Sequence, residues 1–116
     1  MRPIPLTQSC GKRMLPVYDA LEVLGGKWRL AIIAALVPGP RRFTALKQDL
    51  PGLTAKTLAH ELRALEEHRL LTRTRSEESL VAVEYALTDY GWELEPLVAT
   101  LHAWGDRHGQ YLKSGR

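Results

Sequence analysis

The spacing of apolar residues predicts a mostly helical chain. The first apolar residues with helical spacing are Val17, Ala20, Leu21 and Leu24. We expect this helix to begin at Pro16, because proline lacks an N–H that the first helical position does not use, and to end at Gly25-Gly26. A second helix should start near Lys27. Its apolar face comprises Trp28, Ile32, Ile33 and Leu36, and Pro38-Gly39-Pro40 should stop it.

The next segment is short and broken by turn residues. Residues 41–43 are too few for a helix and predict a brief strand. Thr44 is suited to cap a short third helix that carries Leu46 and Leu50. The chain should then turn at Pro51-Gly52.

Residues 54–65 predict an amphipathic helix with small and polar residues at its start. Thr54 is suited to be the N-cap, and Leu58, Leu62 and Leu65 form one stripe at i, i+4 and i+7. The residues off that stripe are Ala55, Lys56, Thr57, His60, Glu61 and Arg63. A helix that enters the DNA major groove needs small or hydrogen-bonding residues at its leading end. The alternative is an ordinary amphipathic surface helix.

Two alternating segments after this helix predict a β-hairpin. Residues 70–75 and 81–87 show the alternation of side-chain type, with a period of two residues, that is typical of β-strands. Residues 76–79 should form the hairpin tip. The last three of these helices, followed by the hairpin, describe a winged helix-turn-helix, an α+β and mostly helical fold with a two-stranded wing. In that fold the helix at residues 54–65 reads bases, and the basic hairpin strand touches the flanking backbone. We expect Arg73 and Arg75 to make that contact.

The last predicted helix has a heptad-like apolar seam. Thr88 should cap it, and Pro96 should either kink it or mark its true start. The seam comprises Leu94, Leu97, Leu101, Trp104, His108 and Tyr111. Dimerisation is the favoured interpretation, because other residues already suffice for a core. The alternative is packing of this helix onto its own chain.

Length and composition predict one domain. We expect a flexible arm at 1–14, a single domain at 15–112 that includes the dimerisation helix, and a tail at 113–116. The chain has 116 residues, of which 45% are hydrophobic, and no apolar run approaches the roughly 20 residues of a membrane helix. It lacks a recognisable signal peptide, and its single cysteine cannot form an internal disulfide. A cytoplasmic protein is the simplest interpretation.

The charge is unevenly distributed. Residues 1–40 contain five basic and two acidic residues, residues 41–75 contain eight and four, and residues 76–116 contain three and seven. The basic middle indicates a polyanion such as double-stranded DNA as a partner, although an ordinary solvated surface would look similar.

Candidate catalytic and metal-binding motifs are not found in the sequence. The four histidines and Cys10 do not show metal-ligand spacing, and there is no glycine-rich phosphate loop after a strand, no Ser/His/Asp signature and no pair of carboxylates on an obvious cleft wall. We therefore expect neither an enzyme nor a cofactor. The tryptophans are expected in the core or at an interface.

Six segments resemble the HxlR-type winged helix-turn-helix regulators of bacteria. They are "LEVLGGKW" at 21–28, "GPRRFTALK" at 39–47, "LPGLTAKTL" at 50–58, "LRALEEHRLLTR" at 62–73, "VEYALTDYG" at 83–91 and "WGDRH" at 104–108. The resemblance implies a cytoplasmic, homodimeric, DNA-binding transcription regulator in which the first and last helices form the dimer interface.

This chain departs from the resemblance at three places. Many members carry a sensing cysteine directly before the proline of the first helix, where this chain has Leu15, and Cys10 lies five residues upstream. Cys10 is a candidate redox thiol, but we expect it to be a bystander. Glu61 stands where relatives often have arginine, and a carboxylate there would repel phosphate or accept a hydrogen bond from cytosine. Glu77 and Glu78 at the hairpin tip disfavour deep insertion into the minor groove.

The sequence thus predicts a homodimeric transcription regulator that binds pseudo-palindromic operators. The alternative is a winged helix that serves only as a protein-interaction module. An oxidant or small-molecule effector is left open. The predicted DNA-binding residues are Arg41, Arg42, Lys47, Thr54, Lys56, Thr57, His60, Arg63, Arg73 and Arg75. The predicted dimer-interface residues are Val17, Leu21, Leu94, Leu97, Leu101, Trp104, His108 and Tyr111.

Overall fold

The computed structural model describes residues 10–75 and 83–115, with only the backbone described at 10–14. This part of the chain forms six helices and three strands. They are α1 (Cys10–Leu24), α2 (Arg29–Leu36), β1 (Arg41–Arg42), α3 (Phe43–Asp49), α4 (Ala55–Glu67), β2 (Leu71–Arg75), β3 (Val83–Leu87), α5 (Asp89–Trp92) and α6 (Glu95–Lys113). The arrangement confirms the predicted winged helix-turn-helix. The predicted hairpin tip lies outside the described residues, as does the start of the predicted second strand.

The core lies between α2, α3, α4 and the sheet. The predicted stripe of Leu58, Leu62 and Leu65 is fully buried. It packs with the other large side chains of the core, chiefly Ile32, Ile33, Leu36, Leu46 and Leu71. Each such side chain contributes about 1.5–3 kcal/mol on leaving water. Burial of this stripe fixes which face of α4 points outward.

The sheet has three antiparallel strands in the order β1-β3-β2. The predicted two-stranded wing therefore gains β1 as a third strand, which pairs Arg41 with Tyr85. On the other side of β3, Arg73 also pairs with Tyr85. Because directly opposite residues share a sheet face, β1 brings a second arginine to the face that carries Tyr85.

The prediction that Pro16 opens the first helix is wrong. α1 begins at Cys10 and contains Pro16 in its interior, so residues 10–14 of the predicted arm have a helical backbone. Proline fixes φ near the helical value and removes one backbone hydrogen bond. Its ring also crowds the carbonyl of the preceding turn, so α1 continues through Pro16 at a cost in backbone bonding. Residues 1–9 of the predicted arm lie outside the described part.

The prediction that Thr44 caps the third helix is also wrong. α3 begins at Phe43, and its N-cap residue Arg42 has an extended backbone and makes no side-chain capping bond. Arg42 also ends β1, so the strand runs directly into the helix. No residue is left between them for a separate cap.

The predicted last helix is divided in two. Thr88 caps α5 rather than the long helix, and its hydroxyl accepts a hydrogen bond from the Gly91 amide at 2.9 Å. α6 follows with Leu94 as its N-cap residue and Pro96 in its first turn. Pro96 therefore marks the start of the long helix, as one of the two alternatives predicted.

The two terminal helices expose most of the large apolar surface. Nine of the eleven exposed large hydrophobic residues in the described part lie on α1 or α6. No residue of α6 is buried. An apolar surface this extensive is typical of a helix that packs against another molecule.

Candidate nucleic-acid interface

The N-terminal end of α4 presents polar groups to solvent. Thr54 is its N-cap, as predicted, and the Thr54 hydroxyl accepts from the Thr57 amide at 3.1 Å and donates to the Thr57 hydroxyl at 3.0 Å. Lys56 and His60 are exposed beside them, and the first turn of α4 contains no acidic residue. The positive end of the helix dipole therefore faces solvent without a neutralising carboxylate, which favours phosphate.

Other predicted contact residues lie around this helix. Arg42 on β1, Lys47 in the last turn of α3 and Arg63 on α4 are exposed, and none has a carboxylate partner among the described residues. Arg41 differs, because its guanidinium forms an ion pair with Asp49 at 2.8 Å. Arg75 is exposed at the end of β2.

A polar cleft of about 270 Å³ separates α4 from the sheet. Its lining residues are Ala59, Arg63, Glu66, Arg73 and Tyr85. The sequence predicted Arg63 and Arg73 separately, and the fold brings them to the same cleft from α4 and from β2. The two guanidinium groups and the phenol are donors for an oxyanion such as a phosphate of the DNA backbone, whereas the Glu66 carboxylate on the same wall opposes one of the two positive charges.

Glu61 has a partner that the sequence analysis did not include. The Glu61 side chain is only 19% exposed, and its Oε1 accepts a hydrogen bond from Arg29 Nε at 2.5 Å. Arg29 is 32 residues away in sequence, so no local pattern could have found it as a partner. Glu61 is thus bonded within the protomer, and its charge is paired with that of Arg29.

The predicted dimer residues form an exposed apolar surface with one exception. Leu94 is half-buried and packs against the protomer's own core. Val17 and Leu21 on α1 lie with Leu97 and Leu101 of α6 around a groove of about 410 Å³. The groove is lined entirely by apolar residues, which also include Pro16, Ala20, Leu24 and Leu30.

Three aromatic side chains continue that surface along α6. The rings of Trp104 and His108 stack with centroids 4.8 Å apart, and His108 stacks on Tyr111 with centroids 6.4 Å apart. All three are exposed, Trp104 by 55% and Tyr111 by 58%. Trp92 is exposed too, whereas Trp28 packs against the core as predicted.

Membrane-spanning helices and metal sites are absent from the described ranges. There, no helix is long and apolar enough to span a bilayer. No group of three His, Cys, Asp or Glu side chains within 10–75 and 83–115 could hold a metal ion.

A helix with a solvated polar face beside a basic strand is the arrangement of winged helix-turn-helix regulators. The chain belongs to the HxlR-like helix-turn-helix family, whose model matches residues 23–113. It is accordingly a transcriptional regulator of the helix-turn-helix type, as its relatives are named.

Relatives and solved structures agree with this assignment. The chain is 38% identical over 97 residues to the HTH-type transcriptional regulator YtcD of Bacillus subtilis (strain 168), covering 84% of this chain and 77% of YtcD. It is 34% identical over 98 residues to YodB of the same organism, covering 84% of this chain and 88% of YodB. The structure of the redox regulator HypR in its reduced form superposes with a TM-score of 0.78 at 33% identity, over 85% of this chain and 98% of HypR.

Proposed function

We propose that this regulator binds double-stranded DNA as a homodimer, with α4 in the major groove and the sheet against the phosphate backbone. The observation that carries the proposal is the joint position of α4 and β2, which line one cleft with Arg63 and Arg73. Phosphate held in that cleft would fix the depth and register of α4. The polar groups at the start of α4 would then lie against base edges.

Different residues of the interface have different tasks. Lys56, Arg63 and Arg73 place positive charge beside the DNA phosphates and should strengthen binding to every DNA sequence alike. Thr57 and His60 carry hydrogen-bonding groups on the solvated face of α4 and should read bases. Arg41 should contribute less to DNA affinity than an unpaired arginine would, because Asp49 already neutralises its charge.

Homodimerisation is supported by the apolar surfaces of α1 and α6. The groove between the two helices and the exposed aromatic stack of α6 leave a continuous apolar face that one protomer does not cover. A second copy would bury it by two-fold symmetry. The two α4 helices would then meet half-sites about one helical turn, or a multiple of it, apart on a pseudo-palindromic operator.

Selection of bound sequences from random duplex DNA tests the proposal. Wild-type protein should yield a motif with inverted symmetry, and a motif without it would contradict the dimeric arrangement. Thr57→Ala and His60→Ala should relax preference at particular bases by about 1–3 kcal/mol for a good contact. Lys56→Ala should weaken binding to all sequences alike. Unchanged base preferences in the Thr57/His60 double variant would remove the base-reading role.

Sedimentation tests the dimer independently of DNA. Wild-type protein should sediment as a dimer, and Leu101→Glu should shift it toward monomer because a carboxylate in the groove is buried without a partner. Glu67→Gln, an exposed change on α4, is the control and should leave the dimer intact. A stable wild-type monomer at micromolar concentration would rule out the proposed assembly.

A further inference from the structure

One guanidinium connects three helices of the protomer. Arg29, the first residue of α2, donates through Nε to Glu61 of α4 at 2.5 Å. Its Nη1 donates to the carbonyl of Val23 at 2.8 Å and to that of Glu22 at 3.5 Å, in the last turn of α1. The carbonyls at the end of a helix have no partner within the helix. Arg29 therefore caps α1 while it holds α4.

The ion pair is largely screened from solvent. The side chains of Arg29 and Glu61 are 17% and 19% exposed. By contrast, the Arg41–Asp49 pair is 35% and 37% exposed. Partial burial strengthens the attraction between the charges, and it also makes an unpaired partner costly. The contact should therefore hold a defined geometry rather than exchange freely with water.

The pair acts on the part of α4 that is assigned to base reading. Glu61 follows His60 directly and lies one helical turn after Thr57. Residues four apart on a helix are neighbours on its surface, so a bond at Glu61 fixes the edge of the face that carries Thr57. The buried leucine stripe already sets which face of α4 points outward, and the directional bond at Glu61 adds a second, polar constraint on the rotation of the helix.

We infer that Arg29 and Glu61 are positioning residues that set the rotation of α4 about its own axis relative to α1 and α2. The inference rests on the proposed DNA-binding function and deepens it. The pair aligns Thr57 and His60 with the bases without touching DNA itself. Because Arg29 also holds the end of α1, the same bond network links a proposed dimer helix to the reading helix.

A charge argument alone predicts the opposite effect of substitution. If Glu61 acted only as a negative charge near DNA, its removal would tighten binding to every sequence. If Glu61 positions α4, its removal weakens binding to the preferred sequence. The sign of the change in affinity therefore separates the two roles.

The test measures affinity for the selected operator and for unrelated duplex DNA with Glu61→Gln, Glu61→Ala, Arg29→Ala and the Arg29/Glu61 double alanine variant. We expect Glu61→Ala to lose about tenfold in operator affinity. Glu61→Gln, which keeps an acceptor oxygen, should lose less. The double variant should be no worse than Arg29→Ala, which already removes the bond to Glu61 together with the bonds to the α1 carbonyls.

Glu67→Gln is the matched control, because it removes the same charge from an exposed position at the end of α4. It should not weaken operator binding. The informative readout is the ratio of operator to unrelated-DNA affinity, measured well below each variant's melting temperature. A pair that merely stabilised the fold would lower that temperature and leave the ratio unchanged, which would overturn the inference.

The Glu61→Gln variant and the NMR signal of Arg29 provide two further tests of the pair. If Glu61→Gln binds the operator more tightly than wild type, as charge removal alone predicts, the inference is wrong. If Glu61→Ala does not fold, Glu61→Gln decides by the same criteria. The NMR signal of the Arg29 Nε–H should move upfield in Glu61→Ala, and an unchanged signal would contradict the pairing. Wild-type protein that binds no duplex DNA would overturn the proposed function together with this inference, whereas the previous outcomes overturn the inference alone.

Discussion

The substitution Arg73→Ala gives the sharpest test of how the sheet contacts DNA. Five exposed cations around α4 lack a carboxylate partner within the described residues, namely Arg42, Lys47, Lys56, Arg63 and Arg73. A dimer then carries ten of them. Each phosphate contact contributes about 0.9 to the slope of log affinity against log salt. If all ten contact phosphate, the slope is roughly −9, and Arg73→Ala should make it shallower by about 1.8 because each protomer loses one contact.

Fluorescence anisotropy of a labelled operator duplex over a series of salt concentrations measures this slope. Lys113→Ala, an exposed lysine in the last turn of α6, removes the same charge far along the chain from α4 and should leave the slope unchanged. Arg73→Ala should weaken operator and unrelated DNA by the same factor, since a phosphate carries no sequence information. A slope for Arg73→Ala equal to that of wild type would refute the assignment of the cleft to the DNA backbone.

Three further changes test other features of the chain. Arg69 is the only non-glycine residue with positive φ in the described part, at 63°. Because glycine adopts this conformation without strain, Arg69→Gly should stabilise the fold by about 0.5–1 kcal/mol. Its melting temperature should rise, whereas that of Arg69→Ala should not. Gly91→Ala should destabilise by about 2–3 kcal/mol, because a Cβ there would overlap the Leu70 carbonyl; an unchanged urea midpoint would contradict this. Cys10→Ser should keep normal DNA affinity, and peroxide or a quinone should change wild-type affinity little. Loss of binding in wild type alone, reversed by a reductant, would instead show a thiol sensor.

The sequence predicted those features of the fold that depend on local patterns. The leucine stripe of α4 and the caps Thr54 and Thr88 follow from residue type and spacing over a few positions. The starts of α1 and α3 were misplaced for a related reason. Thr44 is tolerated inside a helix, and Pro16 lies inside α1 despite the backbone hydrogen bond that it removes. Neighbouring segments, and not these residues, therefore determine where the two helices begin.

Features that depend on contacts between residues distant in sequence could not be predicted from the sequence. The pairing of β1 with β3 joins residues 41 and 85, and nothing in the sequence near residue 41 specifies its partner. The same holds for Glu61, whose local surroundings indicate a solvated carboxylate although Arg29 binds it. Candidate contact residues could thus be named from the sequence. Their grouping into a cleft, and the neutralisation of Arg41 by Asp49, required the fold.

The exposure of α6 makes DNA binding depend on how much of the protein the cell contains. The helix has 19 residues and buries none of them fully, so in the proposed dimer most of its packing energy would come from the second copy. If the dimer is the species that binds DNA, dilute protein exists as protomers, and dimer concentration then follows the square of the protomer concentration. Halving expression would reduce the binding species roughly fourfold. The occupancy of a target promoter would then respond steeply to gene dosage, even without an effector.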